Sequence, residues 1–373
     1  MPYKYKGVSL FTGAGGMDVG FEKAGIQVVW ANEIDKDACA TFKENHRESF
    51  LREGDISHYI NELNDLKNID ILFGGPPCQG FSVAGKMDPE DIRSQLIWTF
   101  IEAIERLKPQ VFVMENVKAL GTLEKWKDVR ESILKRTSSM GYTCFPFLLN
   151  SSHYGVPQKR ERVFFIGFLE KKIEYEKMML RLKQLMEKPT SIRETLAPLG
   201  PANTERNPLT CTAKITLASN PIMRKSPYAG MIFNGMGRPL DIDHYANTLP
   251  ASMGGNKTPI VDEELLYGNA INDWVVEYHS ALLNGKIDSK FQQVPNRLRR
   301  ITIKEAALLQ TFPEDYVFKG SKSAIYRQIG NAVPCKLAEI VAKLVISELE
   351  NEPIIRNQNI DVGQVTFEDF LLI

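Results

Sequence analysis

The sequence predicts an α/β fold built on a doubly wound, mostly parallel sheet. Up to Phe168 the chain alternates short apolar strands with helical patterns, as in parallel sheets whose two faces are covered by helices. A glycine-rich turn joins the first strand to the first helix, which is typical of such folds. Beyond Phe168 this periodicity fades, and a second, smaller domain rich in loops is expected.

Each predicted strand is an apolar run bounded by turn or polar residues. The strands cover Gly7 to Phe11, Gln27 to Glu33, Ile69 to Gly74, Gln110 to Glu115, Thr143 to Asn150 and Arg162 to Phe168. Helices are predicted at Met17 to Ala24, Asp35 to Asn45, Ser94 to Leu107 and Asp128 to Met140. Helical patterns return at Glu170 to Lys188, Ile303 to Gln310 and Lys336 to Leu349.

Composition narrows the class of protein. The 373 residues carry 46 basic and 46 acidic side chains, so net charge does not indicate a polyanionic partner. The segment from Arg206 to Arg238 nevertheless has basic and no acidic residues. Such a surface can bind a phosphate backbone, or acidic residues from elsewhere in the fold can neutralise it. Five widely spaced cysteines indicate neither a disulfide framework nor a zinc site. Without a long apolar run or a signal peptide, we expect a soluble, cytoplasmic protein.

A cysteine follows the strand that ends at Gly74. Gly74 and Gly75 allow the backbone to approach a ligand, and Pro76 and Pro77 stiffen the turn that carries Cys78. This arrangement suits a thiolate nucleophile, whereas a packed, unreactive cysteine is the alternative.

The first two strand ends indicate a ligand that contains adenosine. The turn Phe11-Thr12-Gly13-Ala14-Gly15-Gly16 follows the first strand, and Glu33 ends the second, where a carboxylate can accept hydrogen bonds from ribose hydroxyls. The pattern fits nicotinamide, flavin and S-adenosylmethionine alike. Asp55, near a third strand end, is either an adenine contact or a helix cap.

Another buried strand delivers Glu115. A carboxylate at the tip of a buried strand is costly unless it is paired or used as an acid, which favours a functional role. If Arg162 begins the next strand, alternation places Arg160 and Arg162 on one side, where a guanidinium can hold a base carbonyl or orient Glu115. A solvated charged turn is the alternative.

The order of these motifs resembles that of the cytosine-5 DNA methyltransferases. The matching blocks are FTGAGG at 11–16, NEID at 32–35, GDI at 54–56, PPCQ at 76–79, ENV at 115–117, QKRER at 158–162, RITIKEAALLQTFP at 300–313 and QIGNAVP at 328–334. They span nearly the whole chain. The resemblance implies the Rossmann-like fold of S-adenosylmethionine-dependent methyltransferases. It also implies methyl transfer to carbon 5 of a cytosine within a specific double-stranded DNA sequence.

The resemblance further implies catalytic roles. Cys78 would add to carbon 6 of a flipped-out cytosine, and Glu115 would hydrogen-bond or protonate ring nitrogen 3. Arg162 would contact the base carbonyl and Arg160 would support the catalytic loop. Asn116 would brace the turn that carries the cysteine. Gln79 completes the implied catalytic set.

The implied cofactor is S-adenosylmethionine, and no metal is expected. The implied cofactor contacts are Phe11, Gly13, Gly15, Glu33, Ile34, Asp55, Ile56, Pro77, Leu96, Asn331 and Val333. Because the last two lie near the end of the chain, the large catalytic domain is expected to be discontinuous, covering 1–185 and 323–373. A target-recognition domain is expected at 186–322.

Double-stranded DNA is the implied partner, and residues 79–89 are expected to close over it as a lid. The predicted DNA contacts are Ser82, Lys86, Arg224, Asn234, Arg238, Asn256 and Lys257. We expect a monomeric, prokaryotic modification enzyme that is functionally paired with a restriction endonuclease.

Three other classes of protein share some of these features. A dinucleotide oxidoreductase explains the glycine turn and Glu33 but leaves Cys78 without a role. The RNA-methylating branch of the same family shares the chemistry, but the nearest match to its Cys-Phe-Thr signature is Cys211-Thr212-Ala213, which favours DNA. A catalytically silent relative is disfavoured because no catalytic block is missing.

Overall fold

The chain forms two compact units. A computed structural model describes residues 3–77, 95–287 and 293–351. One unit comprises Met1–Gly155, Glu161–Lys188 and Val333–Ile373, and the other comprises Val156–Arg160 and Pro189–Ala332. The last segment of the first unit therefore begins ten residues later than the predicted large domain resumes, at 333 against 323. The functional division into catalytic and target-recognition domains stays a prediction.

A seven-stranded sheet forms the centre of the first unit. Its strands are β1 (Tyr5–Leu10), β2 (Ile26–Glu33), β3 (Phe50–Glu53), β4 (Ile71–Gly74), β5 (Val111–Val117), β6 (Tyr142–Asn150) and, after the short β7 (Gln158–Lys159) of the other unit, β8 (Glu161–Leu169). The order is β3-β2-β1-β4-β5-β8-β6, and all neighbours are parallel except β8, which is antiparallel to β5 and β6. The predicted fold class is confirmed, and each predicted strand coincides with an observed one.

Helices cover the sheet of the first unit. They are α1 (Gly16–Lys23), α2 (Lys36–Asn45), α3 (Gln95–Leu107), α4 (Lys118–Thr122), α5 (Lys127–Ser139) and α6 (Tyr175–Gln184). Asp35 begins α2 as its N-cap, because its carboxylate accepts hydrogen bonds from the backbone of Asp37 and Ala38. Strand β4 is buried along its whole length, which explains why it reads as an uninterrupted apolar run.

The C-terminal part of the chain returns to the first unit as a helix. This helix is α12 (Cys335–Leu349), since α7 to α11 belong to the second unit, and it packs on α1. The two helices approach closely at Gly20, where an added Cβ would lie 2.4 Å from the carbonyl oxygen of Cys335. The absence of a side chain at Gly20 therefore sets how near α12 lies to α1.

The second unit consists of short strand pairs and helices. Its helices are α7 (Ile192–Leu196), α8 (Glu263–Leu266), α9 (Trp274–Leu283), α10 (Ile303–Leu309) and α11 (Lys322–Asn331). Its strands are β7, β9 (Leu217–Ile222), β10 (Met231–Phe233), β11 (Ala246–Asn247), β12 (Ile260–Asp262) and β13 (Leu298–Arg300), paired as β7 with β11, β9 with β10 and β12 with β13. Helix α9 lies in a region that was predicted to be rich in loops. The sequence pattern did not indicate a helix there, because the apolar residues of α9 do not keep to one face.

The predicted helix at Ile303 to Gln310 is confirmed as α10. Thr302 and Glu305 form a capping box at its start, since each side chain bonds to the backbone of the other residue. Within the described residues, no helix combines the length and the apolar character needed to cross a membrane.

Candidate active site

The turn after β1 has an unusual backbone. Phe11, Gly13 and Gly15 have φ values of 57°, 55° and 82°, all in the left-handed region. This region suits glycine but strains a phenylalanine, and such strain is concentrated at functional sites. Apart from Gly13 and its two chain neighbours, no heavy atom of the described residues lies within 4 Å of the position that a Cβ on Gly13 would take. The turn therefore leaves open space beside its backbone.

Glu33 lies beside this turn at the end of β2. Its Oε2 accepts a hydrogen bond from the backbone of Gly13 at 2.7 Å, and its Oε1 accepts from Ile34 at 2.9 Å and Asp35 at 2.8 Å. Burial raises the pKa of Glu33, although these backbone N–H groups oppose the shift. The next side chain, Ile34, is 63% exposed. A fixed carboxylate and an exposed apolar group therefore stand side by side.

The end of β3 is tied to this site through Asn32. The Asn32 amide donates to the carbonyl oxygens of Arg52 and Gly54, both at 3.0 Å. Asp55 follows and caps a short turn, accepting from the Ser57 backbone at 2.9 Å, and hydrogen bonds from Ser57 lower the pKa of Asp55. Ile56 is buried in the core. Sequence reasoning missed Asn32, although its place in the NEID block was visible.

The remaining predicted cofactor residues are spread over both units. Pro77 is half-buried, Leu96 lies half-buried on α3 against the main apolar cluster, and Val333 is buried at the start of the last segment of the first unit. Asn331 is exposed at the end of α11, in the second unit. The residues after β1, β2 and β3 therefore all belong to the first unit, whereas Asn331 belongs to the second.

Glu115 and Arg162 form an ion pair at the ends of β5 and β8. Antiparallel register sets Val117 opposite Arg162, two residues from Glu115 on the same strand. The Arg162 Nε lies 2.8 Å from Glu115 Oε1, and the side chains are 15% and 12% exposed. An added Cβ at Gly75 would lie 2.8 Å from Glu115 Oε2. A side chain at position 75 would therefore displace the Glu115 carboxylate from its place.

Asn116 links the same strand end to the turn before Cys78. Its buried amide donates to the carbonyl oxygen of Pro76 at 3.2 Å, and its oxygen accepts from the backbone of Val117 at 2.9 Å. Cys78, Gln79, Ser82 and Lys86 lie outside the described residues, as does the predicted lid.

Arg160 has a different setting from Arg162. It lies between β7 and β8, so strand alternation does not relate the two residues. Its buried guanidinium donates within the second unit, to the carbonyl oxygens of Leu249 at 3.3 Å, Gly330 at 3.0 Å and Asn331 at 3.1 Å. These bonds fix the end of α11. Support of the catalytic loop by Arg160 stays a prediction.

The predicted DNA contacts of the second unit are all exposed: Arg224, Asn234, Arg238, Asn256 and Lys257. Asn234 donates to Thr216 Oγ1 and to the Leu217 carbonyl oxygen, both at 2.8 Å, so it also holds its own loop. Gly237 donates to the Asn256 carbonyl oxygen at 3.0 Å, which joins the two loops. Among the described residues, Arg224, Arg238 and Lys257 have no acidic partner, whereas Arg206 pairs with Glu314 at 2.6 Å.

A sheet with a left-handed, glycine-rich turn and carboxylates at its strand ends is typical of α/β enzymes that bind nucleotide-like cofactors. A model of the C-5 cytosine-specific DNA methylase family matches residues 5–347, and the chain belongs to this family. It is a DNA (cytosine-5-)-methyltransferase, as its resemblance predicted. Enzymes of this family use S-adenosylmethionine and act on DNA.

Individual relatives are similar over most of their length. The type II methyltransferase M.Eco47II of Escherichia coli is 33% identical, with 93% of this chain and 80% of the relative aligned. The type II methyltransferase M.NgoPII of Neisseria gonorrhoeae is 33% identical, with 92% and 96% aligned. The structure of the S. pombe Dnmt2 methyltransferase is 17% identical with a TM-score of 0.64, covering 93% of this chain and 99% of that one, and shows the same fold.

Proposed function

We propose that this enzyme is a type II modification methyltransferase, which methylates carbon 5 of one cytosine within a specific double-stranded DNA sequence. A restriction endonuclease that cuts the same sequence would be its functional partner, as the names of its bacterial relatives suggest. The observation that carries the proposal is the Arg162–Glu115 pair, held at the end of β5 beside the turn that leads to Cys78.

The residues after β1 and β2 fit S-adenosylmethionine. The space beside Gly13 admits a ligand against the backbone, the Glu33 carboxylate suits ribose hydroxyl donors, and exposed Ile34 suits an adenine face. Asp55 would accept from the adenine amino group. We assign supporting contacts to Phe11, Gly15, Ile56, Pro77, Leu96, Asn331 and Val333. The bound cofactor would supply an electrophilic methyl group.

Cys78 would act as the nucleophile. Carbon 5 of cytosine is too poor in electrons to take a methyl group directly, so the sulfur adds first at carbon 6 and makes carbon 5 nucleophilic. An unperturbed thiol with a pKa of about 8.5 is only a few per cent ionised near neutrality, so its proton must leave before or during the addition. After transfer, water or hydroxide removes the proton from carbon 5, and the carbon–sulfur bond breaks.

Glu115 would handle the charge that this addition creates. A carboxyl group here can donate its proton to ring nitrogen 3 as electron density builds there. The Arg162 guanidinium, 2.8 Å away, would then stabilise the carboxylate that remains. Asn116 holds the Pro76 carbonyl, so it would keep the acid and the nucleophile on one rigid strand end. Gln79 and Arg160 are assigned supporting roles.

Exposed cations of the second unit support a DNA substrate. Arg224, Arg238 and Lys257 are available for phosphates or base edges. Asn234 and Asn256 would read bases from the two joined loops. A target cytosine must leave the base stack to meet a sulfur, at a cost of about a few kcal/mol. Ser82 and Lys86 would contact the opened duplex from the predicted lid.

Bisulfite sequencing of plasmid DNA after expression tests the proposal. We expect one cytosine of one short sequence to be methylated throughout the plasmid, and we expect Cys78→Ala to abolish this. The matched control is Cys144→Ala, which changes a half-buried cysteine on β6 and should retain methylation. A duplex that carries 5-fluorocytosine at the target should trap a covalent adduct with the wild type only.

Two outcomes would overturn the proposal. Methylation at the wild-type rate by Cys78→Ala would show that Cys78 is not the nucleophile. Incorporation of labelled methyl groups into RNA, with none into duplex DNA, would change the substrate class.

A further inference from the structure

A carboxyl group lies buried directly behind the glycine turn. Asp18 stands in the first turn of α1, three residues after Gly15, and its side chain is 0% exposed. Neither of its oxygens has a hydrogen-bond partner of ordinary geometry among the described residues. The mechanism above gives it no role. A buried polar group without partners is rare in folded proteins, so Asp18 needs an explanation.

Four structural elements surround Asp18, and each contributes a polar group. The Ser9 hydroxyl comes from β1, Glu22 from the next turn of α1, His46 from the end of α2 and the Cys335 thiol from the start of α12. The His46 Nδ1 lies 3.0 Å from Glu22 Oε2, and its ring stacks on Phe42. More distant charged or titratable neighbours of this cluster are Tyr3 beside Glu22, with Glu48 beside Tyr3 in turn, and Lys23 and Glu339 beside Cys335.

These neighbours make the cluster sensitive to pH. Burial raises the pKa of Asp18 to about 7, and Glu22 raises it too, while His46 and Ser9 oppose the shift. Burial lowers the pKa of His46, but the hydrogen bond to Glu22 and the charge of Asp18 outweigh it, so the pKa of His46 is raised. Ionisation of Asp18 therefore leaves a buried negative charge close to Glu22.

The first turn of α1 is continuous with the glycine turn. Gly15 caps the helix without any side-chain bond, its carbonyl oxygen accepts from Val19 at 2.9 Å, and its N–H donates to Thr12 at 3.0 Å. On the other side, contact at Gly20 holds α1 against α12. Because Asp18 lies in the first turn of α1, a movement of this turn that brought its carboxylate to water would displace Gly15 as well.

We propose that Asp18 is a positioning residue of the cofactor site, whose neutral carboxyl group keeps the glycine turn in its binding arrangement and whose ionisation disfavours that arrangement. This inference rests on the proposed binding of S-adenosylmethionine at the turn. It places the effect on the alkaline side, because affinity is retained while Asp18 is protonated and declines as rising pH removes the proton.

Equilibrium dialysis of radiolabelled S-adenosylmethionine between pH 6 and pH 8.5 tests this. Ionisation of the ligand changes the Kd of the wild type and of the variant alike. The informative quantity is therefore the ratio of the wild-type Kd to the Asp18→Asn Kd at each pH. We expect this ratio to rise about tenfold across the range, since the amide mimics the neutral acid. The matched control is Asp128→Asn, which changes an exposed acid in the first turn of α5 and should give a constant ratio.

His46→Gln separates this role from simple packing. Loss of the imidazolium removes a charge that lowers the pKa of Asp18, so the alkaline decline in affinity should move to higher pH. This shift remains measurable if Asp18→Asn does not fold. A constant Kd ratio for Asp18→Asn, or an unmoved decline in His46→Gln, would overturn the inference alone. If the wild type binds no S-adenosylmethionine at any pH, the proposed function fails instead.

Discussion

Two glutamates of this enzyme are paired with arginine in similar ways but in different surroundings. Glu115 meets Arg162 at the end of β5 in the first unit, and Glu305 meets Arg299 at the start of α10 in the second. Glu305 is 0% exposed, whereas Glu115 is 12% exposed and stands beside the bare backbone of Gly75.

The partners of Glu305 account for its burial. Its oxygens accept from Arg299 at 2.7 and 2.8 Å, from the Thr302 backbone at 2.8 Å and from the Asn207 amide at 3.1 Å. Every one of these donors belongs to the second unit, whose loops they connect. An arginine–glutamate pair alone therefore does not mark a catalytic site. What distinguishes Glu115 is partial exposure beside the turn that leads to the proposed nucleophile, Cys78.

Glu115→Gln should lower activity far more than stability. The amide cannot transfer a proton to the base, so we expect methylation to fall by about 10²- to 10⁴-fold. The urea midpoint should change little because the strand end is partly exposed. Initial rates with tritiated cofactor and urea unfolding followed by circular dichroism check both expectations. Loss of stability without loss of rate would assign Glu115 the structural role instead.

Glu305→Gln should have the opposite effect and lower stability far more than activity. Removing one charge of a buried pair leaves Arg299 poorly compensated, and we expect a loss of about 3 kcal/mol in the free energy of unfolding. Arg299 keeps a contact to Glu263 at 3.1 Å, which limits the loss. The methylation rate per folded molecule should stay near the wild-type value. A stable variant with a collapsed rate would contradict this.

Exposed basic residues of the second unit should give the smallest effects, and these should appear in DNA affinity. Lys257 has no acidic partner among the described residues, so Lys257→Gln should reduce the slope of log affinity for DNA against log salt by about 1. Arg206→Gln is the matched control, because Arg206 is already paired with Glu314, and it should change stability by less than about 1 kcal/mol. Equal slopes for Lys257→Gln and the wild type would remove Lys257 from the DNA surface.

Much of the first unit could be predicted because its signals are local. Strand β4 reads as an apolar run because both of its faces are covered, and the glycines after β1 are needed for the left-handed turn that the backbone makes there. The place of Glu115 at a strand end follows from the same local pattern. The antiparallel direction of β8 could not be read in this way, because a strand has the same period in either direction.

The succession of strands and turns along the chain, the family and the candidate residues at strand ends could all be predicted without a structure, since each depends on neighbours along the chain. Which charged groups are buried, and which groups they pair with, becomes visible only in the folded molecule. Asn207 meets Glu305 across 98 residues, and α12 closes over α1 near Asp18 from the far end of the chain. Burial and pairing depend on such distant contacts, and these contacts separate the proposed acid Glu115 from the structural Glu305 and set Asp18 apart from an ordinary helix cap.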